Sequence, residues 1–144
     1  MKTTFVKGLT LALALVMMLV LSSCNFLGNE EPDEVWDYAV ITEDSELGEG
    51  AKTIEVELVV GEHKITFTIH TDADTLGDAL VENLIIEGEE STYGLYVTMV
   101  NGIYAVYEVD GSYWSFYQNG EYLMAGVDST AISGGEHFEI VYSK

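Results

Sequence analysis

The sequence predicts an α+β domain in which one short helix packs on a mostly antiparallel, curved sheet. Polar and apolar residues alternate along residues 53–60 and 65–69, on either side of Gly61-Glu62, which is typical of a β-hairpin with one buried face. Two Asn-Gly pairs, at residues 101–102 and 119–120, each lie between further alternating segments. Between these regions, one segment has apolar residues at helical spacing. The predicted elements therefore follow the order strand, strand, helix, and then mostly strands.

The first hairpin and the helix can be assigned residue by residue. The buried face of the hairpin is assigned to Ile54, Val56, Leu58, Ile65, Phe67 and Ile69. Thr75 can cap the start of a helix, because Asp78 follows it at the spacing of a capping box. Apolar residues then recur at helical spacing, at Leu76, Ala79, Leu80 and Leu84. We predict a helix of about two to three turns, which needs the sheet for its stability.

Two similar hairpins and a last strand follow the helix. Residues 95–100 are predicted to pair with 103–109, and residues 113–118 with 121–125, around the two Asn-Gly turns. Asn-Gly is a strong hairpin signal because both central residues of a type I′ turn need a positive φ. The last predicted strand covers residues 137–142, after Gly134-Gly135.

The charge balance restricts the partners of the protein. Its 144 residues contain 25 acids and only 5 basic residues, all lysine, which gives a formal net charge of −20. Such a chain cannot hold nucleic acid through its phosphates, and it cannot dock on anionic lipid through a basic face. The apolar fraction of 48% is that of a packed globular protein and not of a disordered chain.

The N-terminus has the three parts of a lipoprotein signal peptide in their usual order. Lys2 and Lys7 form a basic region, residues 9–21 form an uncharged apolar run, and Leu21-Ser22-Ser23-Cys24 matches the lipobox of bacterial lipoproteins. We predict that residues 1–23 are a signal peptide and that acyl chains such as palmitate on Cys24 anchor the protein to the extracytoplasmic face of the cell membrane. With one cysteine, the chain can form neither a disulfide framework nor a cysteine-based zinc site.

Residues 24–50 are assigned to the lipidated cysteine and an acidic tether, and residues 51–144 to the compact domain. The tether holds nine acids and no lysine, so its self-repulsion favours an extended segment. Four apolar residues interrupt this polarity, namely Trp36, Tyr38, Val40 and Ile41. Two interpretations remain open: an incidental apolar patch within a tether, or a short strand that docks on the domain or on a partner.

No motif predicts metal binding or catalysis. Residues 72–77 begin like a calcium loop, but Leu76 stands at position 5 and Asn83 replaces the bidentate glutamate at position 12. His63, His70 and His137 do not have metal-binding spacing. The sequence contains no nucleophile elbow and no glycine-rich phosphate loop. We therefore expect no enzyme, no catalytic residue, no metal site and no bound cofactor.

The aromatic residues of the third hairpin form the candidate ligand-binding site. With Asn119-Gly120 as the turn, one face carries Trp114, Phe116, Leu123 and Ala125 and is assigned to the core, and the other carries Tyr113, Ser115, Tyr117, Tyr122 and Met124. The outward tyrosines and Met124 suit contact with an apolar or planar ligand, which Gln118 and Asn119 at the hairpin tip would orient by hydrogen bonds. Ordinary cross-strand pairing of tyrosines explains the same face, so both interpretations remain open.

Several of these segments together resemble a known family. They are Asn101-Gly102-Ile103, residues 111–122, Gly126-Val127-Asp128 and residues 135–140. They resemble the transcobalamin C-terminal-like domain, a family of unknown function in bacterial surface proteins and lipoproteins. The resemblance implies a β-grasp-like fold and binding of a cobalamin-type ligand. In the animal carriers a helical barrel and this domain close over the corrinoid together, so the resemblance implies one-sided or partner-assisted binding here, and it supplies no cobalt-ligating residue.

We therefore expect a non-enzymatic, membrane-anchored module that captures a small-molecule ligand, a corrinoid, and hands it to a membrane transporter for uptake. The alternative is a protein-interaction or envelope-structural domain, in which the same face or an open sheet edge docks on a surface or transporter partner. A concave pocket beside the tyrosines would favour ligand binding, and a flat patch or exposed edge would favour a protein partner. A cleft with convergent titratable groups would favour an enzyme.

Overall fold

The computed structural model describes residues 31–144, so the predicted signal peptide and Cys24 lie outside the described residues. The strands in this part of the chain are β1 (Ser45–Gly48), β2 (Lys52–Val60), β3 (His63–Thr71), β4 (Ile86–Ser91), β5 (Gly94–Val100), β6 (Ile103–Tyr104), β7 (Tyr113–Gln118), β8 (Glu121–Tyr122) and β9 (His137–Ser143). Short helices cover Pro32–Val35, Leu76–Glu82 and Tyr107–Asp110, and single 3₁₀ turns cover Trp36–Tyr38 and Val127–Ser129. Between residues 31 and 144, no helix has the length and apolar character needed to cross a membrane.

The strands form two sheets. Six of them are arranged in the order β1-β3-β2-β9-β7-β8, in which β1 pairs with β3 and β2 with β9 in parallel, and the other neighbours are antiparallel. The other three form the antiparallel sheet β4-β5-β6. The structure therefore agrees with the α+β class, with two sheets where the sequence predicts one. The β-grasp-like arrangement stays a prediction.

The core is built from the alternating faces that the sequence predicts. Ile54, Val56 and Leu58 of β2 and the inward residues of β3 are buried, while the residues between them point away from the core. Phe138 and Ile140 of β9 extend the same face. Leu76, Ala79 and Leu80 of the helix Leu76–Glu82 join these residues in one hydrophobic cluster, so the helix is stabilised by burial of its apolar side.

The helix Leu76–Glu82 begins as predicted and ends earlier. The Thr75 side chain accepts a hydrogen bond from the backbone N–H of Asp78 at 3.1 Å, which caps the first turn. The assignment of Leu84 to the buried stripe is wrong. Leu84 has a φ of 58° and is exposed, because the chain leaves the helix there and buries Ile85 in its place.

Both Asn-Gly turns form, but the strands that follow them are short. Asn101 and Gly102 have φ values of 51° and 84°, and Asn119 and Gly120 have values of 50° and 80°, as a type I′ turn requires. The predicted strands 103–109 and 121–125 end at Tyr104 and Tyr122. After Tyr104 the chain forms the helix Tyr107–Asp110, so these residues do not extend the hairpin.

The segment before residue 51 packs on the domain instead of forming a free tether. The strand β1 pairs with the edge of β3, with Ser45 opposite Phe67 and Gly48 opposite His70. Val35 is buried, and the Trp36 ring stacks on His63 with 4.8 Å between the ring centroids. Trp36–Tyr38 form a 3₁₀ turn and not the docked strand that is one of the two interpretations, so the segment docks instead through β1, Val35 and the Trp36 ring. The domain boundary at residue 51 stays a prediction.

Candidate functional site

An open cleft lies between the two sheets at the end of the third hairpin. Its volume is about 320 Å³, and it is lined by residues 95–97 of β5, Tyr113, Trp114 and Phe116 of β7, and residues 122–127. We call it the aromatic cleft. Its volume is at the lower end of the range of about 300–1,000 Å³ that ligand pockets occupy.

The Asn119-Gly120 hairpin positions the aromatic side chains at the cleft. Tyr117 of β7 pairs with Tyr122 of β8, and their rings meet edge to face with centroids 5.6 Å apart. Beyond β8, the backbone N–H of Leu123 still donates to the Phe116 carbonyl at 2.9 Å. The chain then leaves the strand, and Met124 is 91% exposed beside the cleft.

Asp128 holds the opposite wall of the aromatic cleft in place. One of its carboxylate oxygens accepts a hydrogen bond from the backbone N–H of Leu95 at 2.8 Å, which ties the turn Val127–Ser129 to β5. The backbone of Gly77 also lies against Asp128, so closely that a Cβ at position 77 would meet the carboxylate at 2.5 Å. Both walls therefore rest on hydrogen-bonded backbone, as expected of a cleft that exists before a ligand binds.

The aromatic cleft is uncharged although the protein is strongly acidic. Among the described residues, those that line the cleft include no aspartate, glutamate, lysine or histidine. The Trp114 indole, in the cleft wall, packs edge to face against Tyr142 at 5.3 Å. Within residues 31–144, its Nε1–H is buried and makes no hydrogen bond. The lining suits contact with apolar or planar groups.

The six residues predicted as ligand contacts divide between two neighbouring clefts. Tyr113, Tyr122 and Met124 line the aromatic cleft. Gln118 and Asn119 line a separate hollow of about 300 Å³, which Tyr122 shares. Tyr117 lines neither of these two clefts and contacts the cleft residue Tyr122. The structure thus places three of the six together.

Sequence reasoning missed part of the cleft lining. Alternation assigns Trp114, Phe116 and Leu123 to the core, and it gives no sign that Tyr96 of β5 lies beside them. Trp114 is buried, but Phe116 and Leu123 are only partly covered, because β8 ends after two residues and leaves the end of β7 open. The assignment of Ala125 to the core is wrong for the same reason, since Ala125 lies beyond the end of β8 and is exposed.

The alternation of β7 predicts the burial of Trp114 correctly, but the assignment of Ser115 to the outward face is wrong, because Ser115 is buried with its hydroxyl 2.9 Å from that of Ser143. Alternation also cannot show that the second sheet covers only part of the Trp114 side.

A second concave surface lies on the outer, polar side of the six-stranded sheet. It has a volume of about 580 Å³ and is lined by Asp44, Ser45, Glu46, Glu55, Glu57, Thr66, Thr68 and His137. We call this surface the acidic face. Lys64 pairs with Glu57 there, with 2.8 Å between Nζ and Oε1, and this hydrogen bond and the negative charge of Glu57 raise the pKa of Lys64.

The three histidines do not meet in space. His63 stacks on Trp36, His70 contacts Glu46, and His137 lies 3.5 Å from Glu55. Two residues of the acidic face, Glu57 and His137, could nevertheless hold a metal ion together with the neighbouring Glu139, because ligand atoms of these three residues all lie within 4.8 Å of one another. Spacing along the sequence could not reveal this group, since Glu57 comes from β2 and the other two residues from β9.

Comparisons with known proteins agree on the fold. The family model described as "Domain of unknown function (DUF4430)" matches residues 73–144, which is half of the chain. A crystal structure from Ruminococcus gnavus ATCC 29149, described as that of a "putative metal binding protein", aligns with a TM-score of 0.61 at 29% identity. The alignment covers 65% of this chain and 98% of that one. No curated protein sequence matches the chain.

Haptocorrin, solved in complex with Cbi, has a related fold. It aligns with a TM-score of 0.54 at 23% identity over 65% of this chain. The aligned region spans only 25% of the haptocorrin chain, so the likeness concerns one part of that protein. At this identity it is a likeness of fold, and it supports the transcobalamin-like fold that the sequence resemblance implies.

Proposed function

The chain belongs to the family described as domain of unknown function DUF4430, and from this premise we propose that it is a non-enzymatic ligand-binding module. The observation that carries the proposal is the aromatic cleft, a concave and uncharged surface with five aromatic residues among its twelve lining residues, in a protein of net charge −20. A flat patch would have favoured a docking domain. Aromatic side chains on a preformed cleft favour a ligand with a planar or apolar surface.

The finer proposal is that the ligand is a corrinoid and that the domain is of the transcobalamin C-terminal-like, β-grasp-like type. The support comes from the sequence resemblance and from the transcobalamin-like fold. The cleft has a volume of about 320 Å³, so under this proposal it would contact one edge of a corrin ring and leave the rest exposed. The chain would therefore bind such a ligand from one side, with a membrane transporter or another partner covering the other side.

We also propose that acyl chains on Cys24 anchor the module outside the cytoplasmic membrane. The support is the order of basic region, apolar run and lipobox in residues 1–24. In cells that process lipoproteins, the wild-type protein should incorporate a labelled fatty acid and partition into the detergent phase. Cys24→Ser should lose both properties, and an unlabelled wild-type protein would overturn this part of the proposal.

Calorimetric titration with cobalamin and with its truncated precursor cobinamide tests the ligand. The protein from residue 25 onward contains every element that the structure describes, and it lacks the predicted signal peptide and the predicted lipidation site Cys24. The proposal predicts saturable binding of a corrinoid with one site per chain. If neither corrinoid binds at high concentration, corrinoid capture is excluded, and the aromatic cleft would then belong to another ligand or to a protein partner.

A further inference from the structure

We propose that the acidic face binds a divalent transition-metal ion of the Zn²⁺ type through Glu57, His137 and Glu139. This site lies on the polar side of the six-stranded sheet and shares no residue with the aromatic cleft. It is therefore independent of the proposed corrinoid binding, and the two are tested with different ligands.

Strand pairing fixes the place of the three side chains. β2 and β9 are parallel neighbours in the middle of the sheet, with Glu57 directly opposite Glu139 and Glu55 opposite His137. Residues two apart on a strand share a face, so these four side chains project from the same side of two adjacent strands. Two backbone hydrogen bonds hold this end of β9, from Glu55 N–H to the Glu136 carbonyl at 3.0 Å and from Asn119 N–H to the His137 carbonyl at 3.1 Å.

The ligand atoms are already close to coordinating distance. They lie within 4.8 Å of one another, whereas ligands about 2.1 Å from a shared ion are separated by about 3–3.5 Å. All three side chains are only partly buried, so changes of rotamer can close this difference without moving the backbone.

The donor set indicates the class of ion. One imidazole nitrogen and two carboxylates are typical zinc ligands, whereas Ca²⁺ and Mg²⁺ favour oxygen alone. The carboxylate of Glu55 lies 3.5 Å from Nδ1 of His137. Carboxylates in this position fix the ring orientation of histidines that bind metals through their other nitrogen.

The same carboxylates already attract a cation in the structure. Lys64 of β3 reaches across to Glu57, and both Glu57 and Glu139 act to raise the pKa of its ammonium group. The Lys64 side chain is 60% exposed, so an ion can displace its ammonium group into solvent. Lys64 is therefore a competitor of the metal, and its removal should strengthen binding.

Calorimetric titration of the protein from residue 25 onward with ZnCl₂ tests the site. We expect one ion per chain and at least about tenfold weaker binding for His137→Ala or Glu139→Gln. His70→Ala is the matched control, because His70 is also a sheet histidine beside a glutamate but lies outside the cluster, and it should bind as the wild type does. Lys64→Met should bind Zn²⁺ several-fold more tightly.

Four results would overturn the proposal. They are absence of saturable Zn²⁺ binding, equal losses in His137→Ala and His70→Ala, binding unchanged by Lys64→Met, and Ca²⁺ binding as tightly as Zn²⁺. Circular dichroism and the thermal midpoint of each variant separate a lost ligand from a lost fold. If His137→Ala unfolds, Glu139→Gln, which keeps the shape of the side chain, still distinguishes a bound metal from none.

Discussion

The hairpins at Asn101-Gly102 and at Asn119-Gly120 have the same turn but different surroundings. Both have the sequence Asn-Gly-x-Tyr, both asparagines have φ near 50°, and both turns are followed by a strand of only two residues. Asn101 is 3% exposed, and its amide bonds both backbone groups of Ile41 at 2.9 and 2.7 Å. Asn119 is exposed, and within residues 31–144 its side chain makes no hydrogen bond.

The difference shows that one turn signal can serve two purposes. The Asn101 turn clamps the N-terminal segment onto the domain and is therefore structural. In the described part of the chain, the Asn119 turn is held by its own hairpin and by the hydrogen bond from its N–H to the His137 carbonyl, and it presents Tyr122 to the aromatic cleft. Substitutions at matched positions should consequently affect stability at the first turn and ligand binding at the second.

The largest difference in the free energy of unfolding is expected between the variants Asn101→Ala and Asn119→Ala. Both variants lose the preference of asparagine for a positive φ, which costs about 1 kcal/mol. Asn101→Ala also leaves the N–H and C=O of Ile41 without partners, at about 1–3 kcal/mol for each group. Denaturant unfolding should therefore show Asn101→Ala destabilised by about 2 kcal/mol or more relative to Asn119→Ala, and equal losses would contradict the clamp.

A smaller difference in the free energy of unfolding is expected between the variants Gly102→Ala and Gly120→Ala. Their φ values of 84° and 80° impose the same backbone strain, about 1–2 kcal/mol. A Cβ at position 102 would lie 2.7 Å from the Tyr38 carbonyl oxygen, whereas nothing lies within 4 Å at position 120. Gly102→Ala should lower the free energy of unfolding by about 1–2 kcal/mol more. Amide hydrogen exchange should locate this extra loss in residues 36–44.

Features that depend on neighbouring residues could be predicted from the sequence, and contacts between residues far apart in the chain could not. Both turns, the alternation of Ile54 to Leu58 and the Thr75 cap follow from neighbouring residues, and the structure contains them all. The clamp on Ile41 joins residues 60 positions apart, so no local pattern contains it. The aromatic cleft and the Glu57–His137 proximity likewise depend on how strands pair and where they end.

The smallest effect on stability is expected from substitution of Asp110. This residue lies just before β7, the strand that leads into the Asn119-Gly120 turn. The Ser112 hydroxyl and backbone N–H donate to its carboxylate and lower its pKa, opposed in part by burial and assisted by Lys144. A lowered folded-state pKa stabilises the fold above the unfolded pKa of about 3.9 and stops doing so as pH falls through the folded value.

Asp110→Asn should therefore destabilise the protein by less than about 1 kcal/mol at pH 6, since the side chain is 31% exposed. The difference from the wild type should be constant from pH 6 to about 5 and should shrink below about 4. Urea unfolding of the wild type and of Asp110→Asn between pH 6 and pH 3 measures this difference in stability. A difference that stays constant down to pH 3 would show that the Asp110 charge contributes nothing.

A ligand site in the aromatic cleft is tested most directly by a corrinoid titration of the wild type, a cleft variant that lacks Tyr122 and Met124, and a control variant that lacks Tyr104. Tyr122 and Tyr104 each stand two residues after the glycine of their turn and are 56% and 64% exposed, but only Tyr122 lines the aromatic cleft. We expect saturable binding of cobinamide by the wild type and by Tyr104→Ala. We expect a loss of about tenfold or more in affinity for Tyr122→Ala combined with Met124→Ala. Equal binding by all three proteins, or no binding by the wild type, would contradict a ligand site in the aromatic cleft.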